Sequence, residues 1–213
     1  MKQSKTMLEG SEWRLILLFT LPLMAGNLLQ QLYNTVDGIV VGNFVGETAL
    51  AAVGTCAPLT MLFTAIALGM SNGAAVVISQ FYGAGRLDEM KKAVASSLIL
   101  LFGMGVVLSI LGSVLSGWLL RVVLGVQDYL LPQAEIYFRI YAIGLLAQFI
   151  YNIVAAILRS MGDSRATLYF LLVSAVCNIL LDMLAVIALG WGVMGVAVAT
   201  VVSQILSAAV SVV

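Results

Sequence analysis

Long apolar runs without charge alternate with short charged clusters along the chain. Six runs contain no Asp, Glu, Lys or Arg: 15–36, 48–85, 93–120, 140–158, 166–181 and 183–213. A membrane-spanning helix needs about 20 mainly apolar residues, and each run supplies one, although the fifth must continue through Asp182. The pattern predicts an all-α integral membrane protein, a single six-transmembrane-helix bundle over residues 1–213. Its helices are expected approximately at 15–41, 50–82, 93–120, 132–158, 166–189 and 194–213.

Composition supports a lipid environment and removes several kinds of chemistry. Of the 213 residues, 62% are hydrophobic and 9% are charged, whereas soluble domains have about 45–50% and about 25%. Ten Lys and Arg balance ten Asp and Glu, so the chain lacks the basic excess of a nucleic-acid-binding protein. It has no His, which excludes His-based zinc sites, Ser–His dyads and imidazole proton relays. We expect the lipid bilayer as its surroundings and no nucleic acid as a partner.

The distribution of Lys and Arg near the span ends predicts the orientation of the bundle. Two cations, Arg121 and Arg139, flank the spans on one side. The other eight flank the opposite side, at Lys2, Lys5, Arg14, Arg86, Lys91, Lys92, Arg159 and Arg165. The positive-inside rule then places both termini of this segment in the cytoplasm, in a multi-pass protein of the cytoplasmic (inner) membrane. The sixth helix reaches Val213 without a basic flank, so we expect the chain to be part of a longer polypeptide.

An internal repeat relates the first and fourth predicted helices. Residues 26–36 (GNLLQQLYNTV) and 144–154 (GLLAQFIYNIV) share Gly, Leu, Gln, Tyr, Asn and Val at an offset of 118. Because the two copies lie three helices apart, they cross the membrane in opposite directions. This predicts two inverted three-helix units, a plan that recurs in secondary transporters. A chance similarity between two apolar helices is the alternative, and the match ends at Asp37, which aligns with Ala155.

Two carboxylates, Asp37 and Asp182, lie inside predicted spans, where each costs about 2.5–3.5 kcal/mol on insertion scales. Both belong to stripes of polar residues at helical spacing. The stripes comprise Asn27, Gln30, Gln31, Asn34 and Asp37; Tyr137, Tyr141, Gly144, Gln148, Tyr151 and Asn152; Ser174, Asn178 and Asp182; and Thr200, Gln204, Ser207 and Ser211. For the amides and hydroxyls, a transport pathway and interhelical hydrogen bonds of about 0.6–2 kcal/mol are both open explanations. For the two Asp residues a functional role is favoured.

Two chemistries use a pair of intramembrane carboxylates. In ion coupling, a poorly solvated carboxyl group can hold a proton near neutral pH, and carboxylate, amide and hydroxyl oxygens suit a small hard cation. In intramembrane aspartyl proteolysis, one Asp follows Tyr and the other ends a Gly-x-Gly-Asp turn, whereas here they follow Val36 and Leu181. An intramembrane Ser protease would need a His. Transport is therefore favoured, and we do not expect an enzyme.

Three segments carry a family resemblance: residues 28–46 (LLQQLYNTVDGIVVGNFVG), residues 69–92 (GMSNGAAVVISQFYGAGRLDEMKK), and NILLD at 178–182 followed by GWGVMGVAVAT at 190–200. They resemble the first, second, fifth and sixth helices of the multidrug and toxic compound extrusion (MATE) family. The resemblance implies a twelve-helix antiporter of two six-helix bundles, which exports drugs or organic cations against H⁺ or Na⁺. This chain would be its N-terminal lobe, without the second lobe.

The resemblance also implies which residues form the site. It assigns cation coupling, with H⁺ or a Na⁺ ion, to Asp37, Asn178, Asp182 and Thr200. Candidates for lining the substrate cavity are Tyr33, Asn34, Tyr137, Tyr141, Gln148 and Asn152. No cofactor is implied beyond the coupling ion.

Two alternatives to an ion-coupled exporter stay open. A flippase for lipid-linked sugars shares the fold, but it would be expected to carry cationic residues in its cavity, and none lies deep in these spans. The other alternative is a non-transporting module, either an isolated lobe or a half-transporter. An even number of helices gives two copies the same orientation, so a parallel homodimer could take the place of the two-lobed protein.

Overall fold

The computed structural model describes residues 11–212, and six long helices make up most of this part of the chain. We label them α1 (Glu12–Val40), α2 (Glu47–Gly83), α3 (Leu87–Val114), α4 (Leu131–Ser160), α5 (Ser164–Asp182) and α6 (Gly192–Val212). All six are long and apolar enough to cross a membrane, which confirms the predicted six-helix membrane bundle. Lys2 and Lys5, which entered the orientation argument, lie outside the described residues.

The two ends of the bundle differ in backbone geometry. At one end, three π-helical turns extend helical segments: Val41–Val45 after α1, Leu119–Val123 after the single turn Ser116–Trp118, and Met183–Ala188 after α5. We call this the π-turn end. The other end, which we call the basic end, carries Arg86, Lys91, Lys92 and Arg159. The predicted orientation would place the basic end in the cytoplasm.

Helix α3 begins and ends about six residues earlier than the stretch 93–120 predicted from the charge-free run. Its first turn carries Asp88 and Glu89, and acidic residues are favourable at a helix N-terminus because of the helix dipole. The guanidinium of Arg86 lies 2.9 Å from the Glu89 carboxylate and holds its pKa below the usual range. A boundary placed at the last charge therefore misses a helix that begins among exposed charges.

Helix α4 is the centre of the bundle, with extensive contacts to α2, α3 and α6. In its most apolar 18-residue window 56% of the residues are buried, against 6% in the corresponding window of α1. Phe63 of α2 and Phe138 of α4 stack with ring centroids 5.9 Å apart. Helix α1 packs mainly against α5. In an inverted repeat of three helices, α1 corresponds to α4 and α2 to α5. The contact between α4 and α2 then corresponds to a contact between α1 and α5, and both contacts are present.

The closest approach involving a glycine joins α4 to α6. A Cβ atom added to Gly144 would lie 2.5 Å from Cγ2 of Val201 and 3.2 Å from its Cβ. Both atoms are part of a β-branched side chain that is stiff about χ1. The two helices can therefore approach this closely only because position 144 carries no side chain.

We predict that Gly144→Ala destabilises the protein by about 1–3 kcal/mol, as overpacking of a tight core does. Gly103→Ala on α3 is the matched control, because a Cβ atom there would meet nothing within 4 Å. Thermal unfolding of the purified protein in detergent provides the measurement. Val201→Ala should restore stability in the Gly144→Ala background, and equal melting temperatures for the two single variants would contradict the close packing of α4 and α6.

Candidate cation site

The structure brings Asp37 and Asp182 together between α1 and α5. Asp37 lies in the last turn of α1, and Asp182 is the last residue of α5. Their carboxyl groups are close enough to interact with each other. Asp182 is 0% exposed and Asp37 is half-buried. A π-helical turn follows each carboxylate within four residues, and such turns are frequent at functional sites.

These carboxylates lack protein partners in the described part of the chain. Neither oxygen of Asp182 accepts a hydrogen bond, and neither does Oδ1 of Asp37. Asn178, one turn before Asp182, is 1% exposed, and its amide oxygen and nitrogen are likewise unpaired within residues 11–212. An unpaired polar group in a protein interior costs about 1–3 kcal/mol. Four buried oxygens without donors thus form a site that favours a proton or a cation.

Thr200 lies level with Asn178 on the facing helix. The register of α5 and α6 is fixed by two hydrogen bonds, from Ser174 Oγ to the carbonyl of Ser203 at 3.2 Å and from Ser207 Oγ to that of Phe170 at 3.4 Å. The Thr200 hydroxyl donates to the carbonyl of Val196 in its own helix, at 3.0 Å. Because its proton is used in that bond, the hydroxyl oxygen could coordinate a cation through its lone pairs.

A valine-rich cluster covers the π-turn end of the site. Its buried members are Val40, Val41, Ala49, Val186, Val193 and Val196, with Val36, Val45, Val53 and Tyr137 packed against them. Val36 and Val40 flank Asp37 on α1, and Val186 follows Asp182 by one turn. The carboxylates are therefore screened from this end by hydrocarbon.

The predicted cavity residues fall into three groups. Tyr33 and Tyr137 lie within electrostatic range of Asp37. Tyr141, Gln148 and Asn152 lie deeper along α4 and are buried, and Asn152 donates to the carbonyl of Gln148 at 2.8 Å. Asn34 is exposed on α1, where it bonds to Gln31 at 3.4 Å.

Sequence reasoning missed Thr64 of α2. Its hydroxyl oxygen lies 3.1 Å from the Tyr141 hydroxyl and accepts a hydrogen bond from the Gln148 amide at 3.0 Å. A signal existed, because Thr60, Thr64 and Ser71 step by four and seven residues along one face of α2.

The donor set at the site suits a small cation. It contains two carboxylates, an amide oxygen and a hydroxyl, the hard oxygen ligands that alkali and alkaline-earth ions prefer. In the described residues there is no group of three or more His, Cys, Asp or Glu that could hold a transition metal. Fold and site together define an integral membrane protein of the transporter type, with a pair of carboxyl groups close together inside its helical bundle.

Comparison with known proteins identifies the family. The MatE family model matches residues 22–184, and the chain belongs to the MatE family. It is 35% identical to the probable multidrug resistance protein YoeA of Bacillus subtilis (strain 168), over 92% of this chain and 43% of that protein. The chain spans about half the length of the curated relatives it matches.

Solved structures share the fold closely. An outward-facing multidrug resistance MATE transporter of the MOP superfamily superimposes with a TM-score of 0.91 at 30% identity, covering 98% of this chain and 46% of that one. An inward-facing MATE transporter gives a TM-score of 0.80 at 31% identity, over 86% of this chain and 41% of that one. The helices described above are therefore arranged as in one lobe of these transporters.

We predict that Asp182→Asn raises stability in cation-free detergent at neutral pH, by about 1–3 kcal/mol, because it removes a buried group that has no donor. Asp163→Asn is the control, since its exposed side chain caps α5 by accepting the Ala166 N–H at 3.0 Å and Asn caps equally well. Thermal unfolding measures both. A lower melting temperature for Asp182→Asn would show that the carboxylate is already well satisfied.

Proposed function

We propose that the chain is the N-terminal lobe of a secondary active transporter that exports drugs or organic cations in exchange for H⁺ or Na⁺. One observation carries the proposal: the buried Asp182 and the half-buried Asp37 lie close together, with unpaired oxygens in the described part of the chain. Family membership supports it, since the relatives include proteins named for multidrug resistance.

The two carboxylates supply the coupling chemistry. Two negative charges in contact inside an apolar bundle repel each other, so at least one must be neutralised by a proton or share a cation with the other. Asn178 and Thr200 add the oxygens that would complete a Na⁺ site. Either ion releases the repulsion, so the free energy of the α1–α5 contact depends on whether the site is loaded.

Helix α1 is the element that responds to this change. It is the least buried span, and Pro22 lies inside it, where the missing N–H permits a bend. Loading would draw Asp37 toward Asp182, rearrange α1 and weaken substrate binding in the outward-facing state. An organic cation would meet the ring faces of Tyr33 and Tyr137 and the amide of Asn34, because aromatic faces attract cations.

A second six-helix bundle completes the transporter in this proposal. Much of α1 is exposed, and the relatives are about twice as long as this chain. The bundle would be a C-terminal lobe or a second copy of this chain in parallel orientation. Light scattering of the purified protein in detergent distinguishes one copy per particle from two.

We expect a fluorescent organic cation to be expelled from right-side-out vesicles that contain the complete transporter, when an inward H⁺ or an inward Na⁺ gradient is imposed separately. The productive gradient identifies the coupling ion. Asp37→Asn and Asp182→Asn should abolish gradient-driven efflux, whereas Asp88→Asn, exposed at the basic end, should leave it intact. Undiminished efflux by both site variants would exclude the carboxylates as the coupling site.

Cation binding can also be tested on the lobe without transport. The infrared C=O stretch of protonated carboxyl groups, followed during a pH titration, and saturable binding of radiolabelled Na⁺ report on the two candidate ions. Asp182→Asn should remove the corresponding signal, because Asp182 is fully buried. The same signal in Asp182→Asn and in the unsubstituted chain would contradict the assignment.

A further inference from the structure

Three polar side chains form a closed ring of hydrogen bonds between α2 and α4. The Tyr141 hydroxyl donates to Oε1 of Gln148 at 3.1 Å, and Nε2 of Gln148 donates to Oγ1 of Thr64 at 3.0 Å. The two hydroxyl oxygens lie 3.1 Å apart, which closes the ring. Tyr141 and Gln148 are 7% and 8% exposed. We call these three residues the α2–α4 ring.

The ring contains three hydrogen bonds when the single Thr64 hydroxyl proton is directed to Tyr141. With the Tyr141 proton directed to Gln148 and an amide proton of Gln148 directed to Thr64, the Thr64 proton can return to Tyr141. All three bonds then run in one direction around the ring, an arrangement in which each bond polarises the next. The Thr64 hydroxyl has a second possible acceptor, the carbonyl of Thr60 at 2.8 Å. Removing any one member therefore takes one hydrogen-bond partner from each of the other two and leaves a single bond between them.

The ring is connected to the carboxylate pair through stacked tyrosines. Tyr137 precedes Tyr141 by one turn of α4, and their rings stack with centroids 6.4 Å apart and planes 15° from parallel. Tyr137 in turn lies within electrostatic range of Asp37 and packs against the valine-rich cluster that covers the site. The position of the Tyr141 ring therefore limits where Tyr137, and with it the wall of the cation site, can lie.

We propose that Thr64 and Gln148 are positioning residues of the cation site, which hold Tyr141 in the orientation on which Tyr137 stacks against the valine-rich cluster that covers the site. The inference rests on the proposed function, because it assumes that the carboxylate pair binds the coupling ion. It assigns to α2 an influence on a site built from α1, α5 and α6. The ring acts through Tyr141 and Tyr137 and makes no contact with the ion itself.

The test compares Thr64→Val with Thr60→Val in the purified lobe. Val has the shape of Thr without its hydroxyl, so Thr64→Val opens the ring with little change in packing. Thr60 lies one turn earlier on the same helix, and its hydroxyl donates within α2 to the carbonyl of Ala57 at 3.0 Å. The measured quantities are the Na⁺ concentration at half-saturation and the infrared midpoint of carboxyl protonation, with circular dichroism to verify folding.

We expect Thr64→Val to shift the half-saturating concentration of the bound ion by about two- to tenfold, the effect of one net hydrogen bond, while Thr60→Val leaves it unchanged. Thr64→Ser should restore the original value because it keeps the hydroxyl. Tyr141→Phe should produce a similar shift, and the double variant Thr64→Val/Tyr141→Phe should shift no further than the single variants, since both open the same ring.

Two contrary results have different meanings. If Thr64→Val and Gln148→Leu lower the melting temperature but leave ion binding unchanged, the ring only joins two helices and the positioning role is wrong. If the unsubstituted lobe binds neither ion, or if the Asp182→Asn variant binds the ion as tightly as the unsubstituted lobe does, the proposed function is wrong. The positioning role is then wrong as well. Should Gln148→Leu not fold, the Thr64→Val and Thr64→Ser pair still decides the question.

Discussion

The contact between two buried carboxyl groups is the constraint on which the rest of this structure depends. Asp37 and Asp182 are covered by hydrocarbon at the π-turn end and have only the uncharged Asn178 and Thr200 as polar neighbours in the proposed site, so an unneutralised pair of negative charges is strongly unfavourable there. The bundle does not relieve this by supplying a Lys or Arg partner to either carboxylate within the described residues. The neutralising proton or cation must come from outside the bundle. The stability of the contact between α1 and α5 therefore depends on whether that charge is present.

The six helices divide into a firmly packed part and a loosely held part. Helix α4 packs tightly with α2, α3 and α6, with Gly144 against Val201 and the α2–α4 ring as fixed points. Helix α1 has few buried residues and packs mainly against α5. One carboxylate of the pair thus lies on the loosely packed helix α1. A change in its charge therefore displaces this helix more than the same change would displace a helix in the centre of the bundle.

The six spans and the carboxylate pair could be predicted from sequence because both depend on the cost of charge in hydrocarbon, which charge-free runs and isolated Asp residues report directly. The start of α3 could not, since its first turns are exposed and charged while still helical. Thr64 was equally hidden, because a threonine in an apolar run gives no sign of its partner until α2 and α4 are packed together. Tyr141 and Gln148 were expected to line a cavity, and their hydrogen bonds to Thr64 of α2 could not be foreseen for the same reason.

The central place of α4 also sets an order of assembly during synthesis. Helices α2 and α3 enter the bilayer before their main packing partner has been made, and α1 enters well before α5. They can wait as separate spans, because a helix in lipid satisfies its own backbone hydrogen bonds. The two carboxylates lie 145 residues apart along the chain. In the nascent chain, Asp37 therefore has no Asp182 beside it until the fifth span has been inserted. The carboxylate pair is therefore among the last features of the bundle to form.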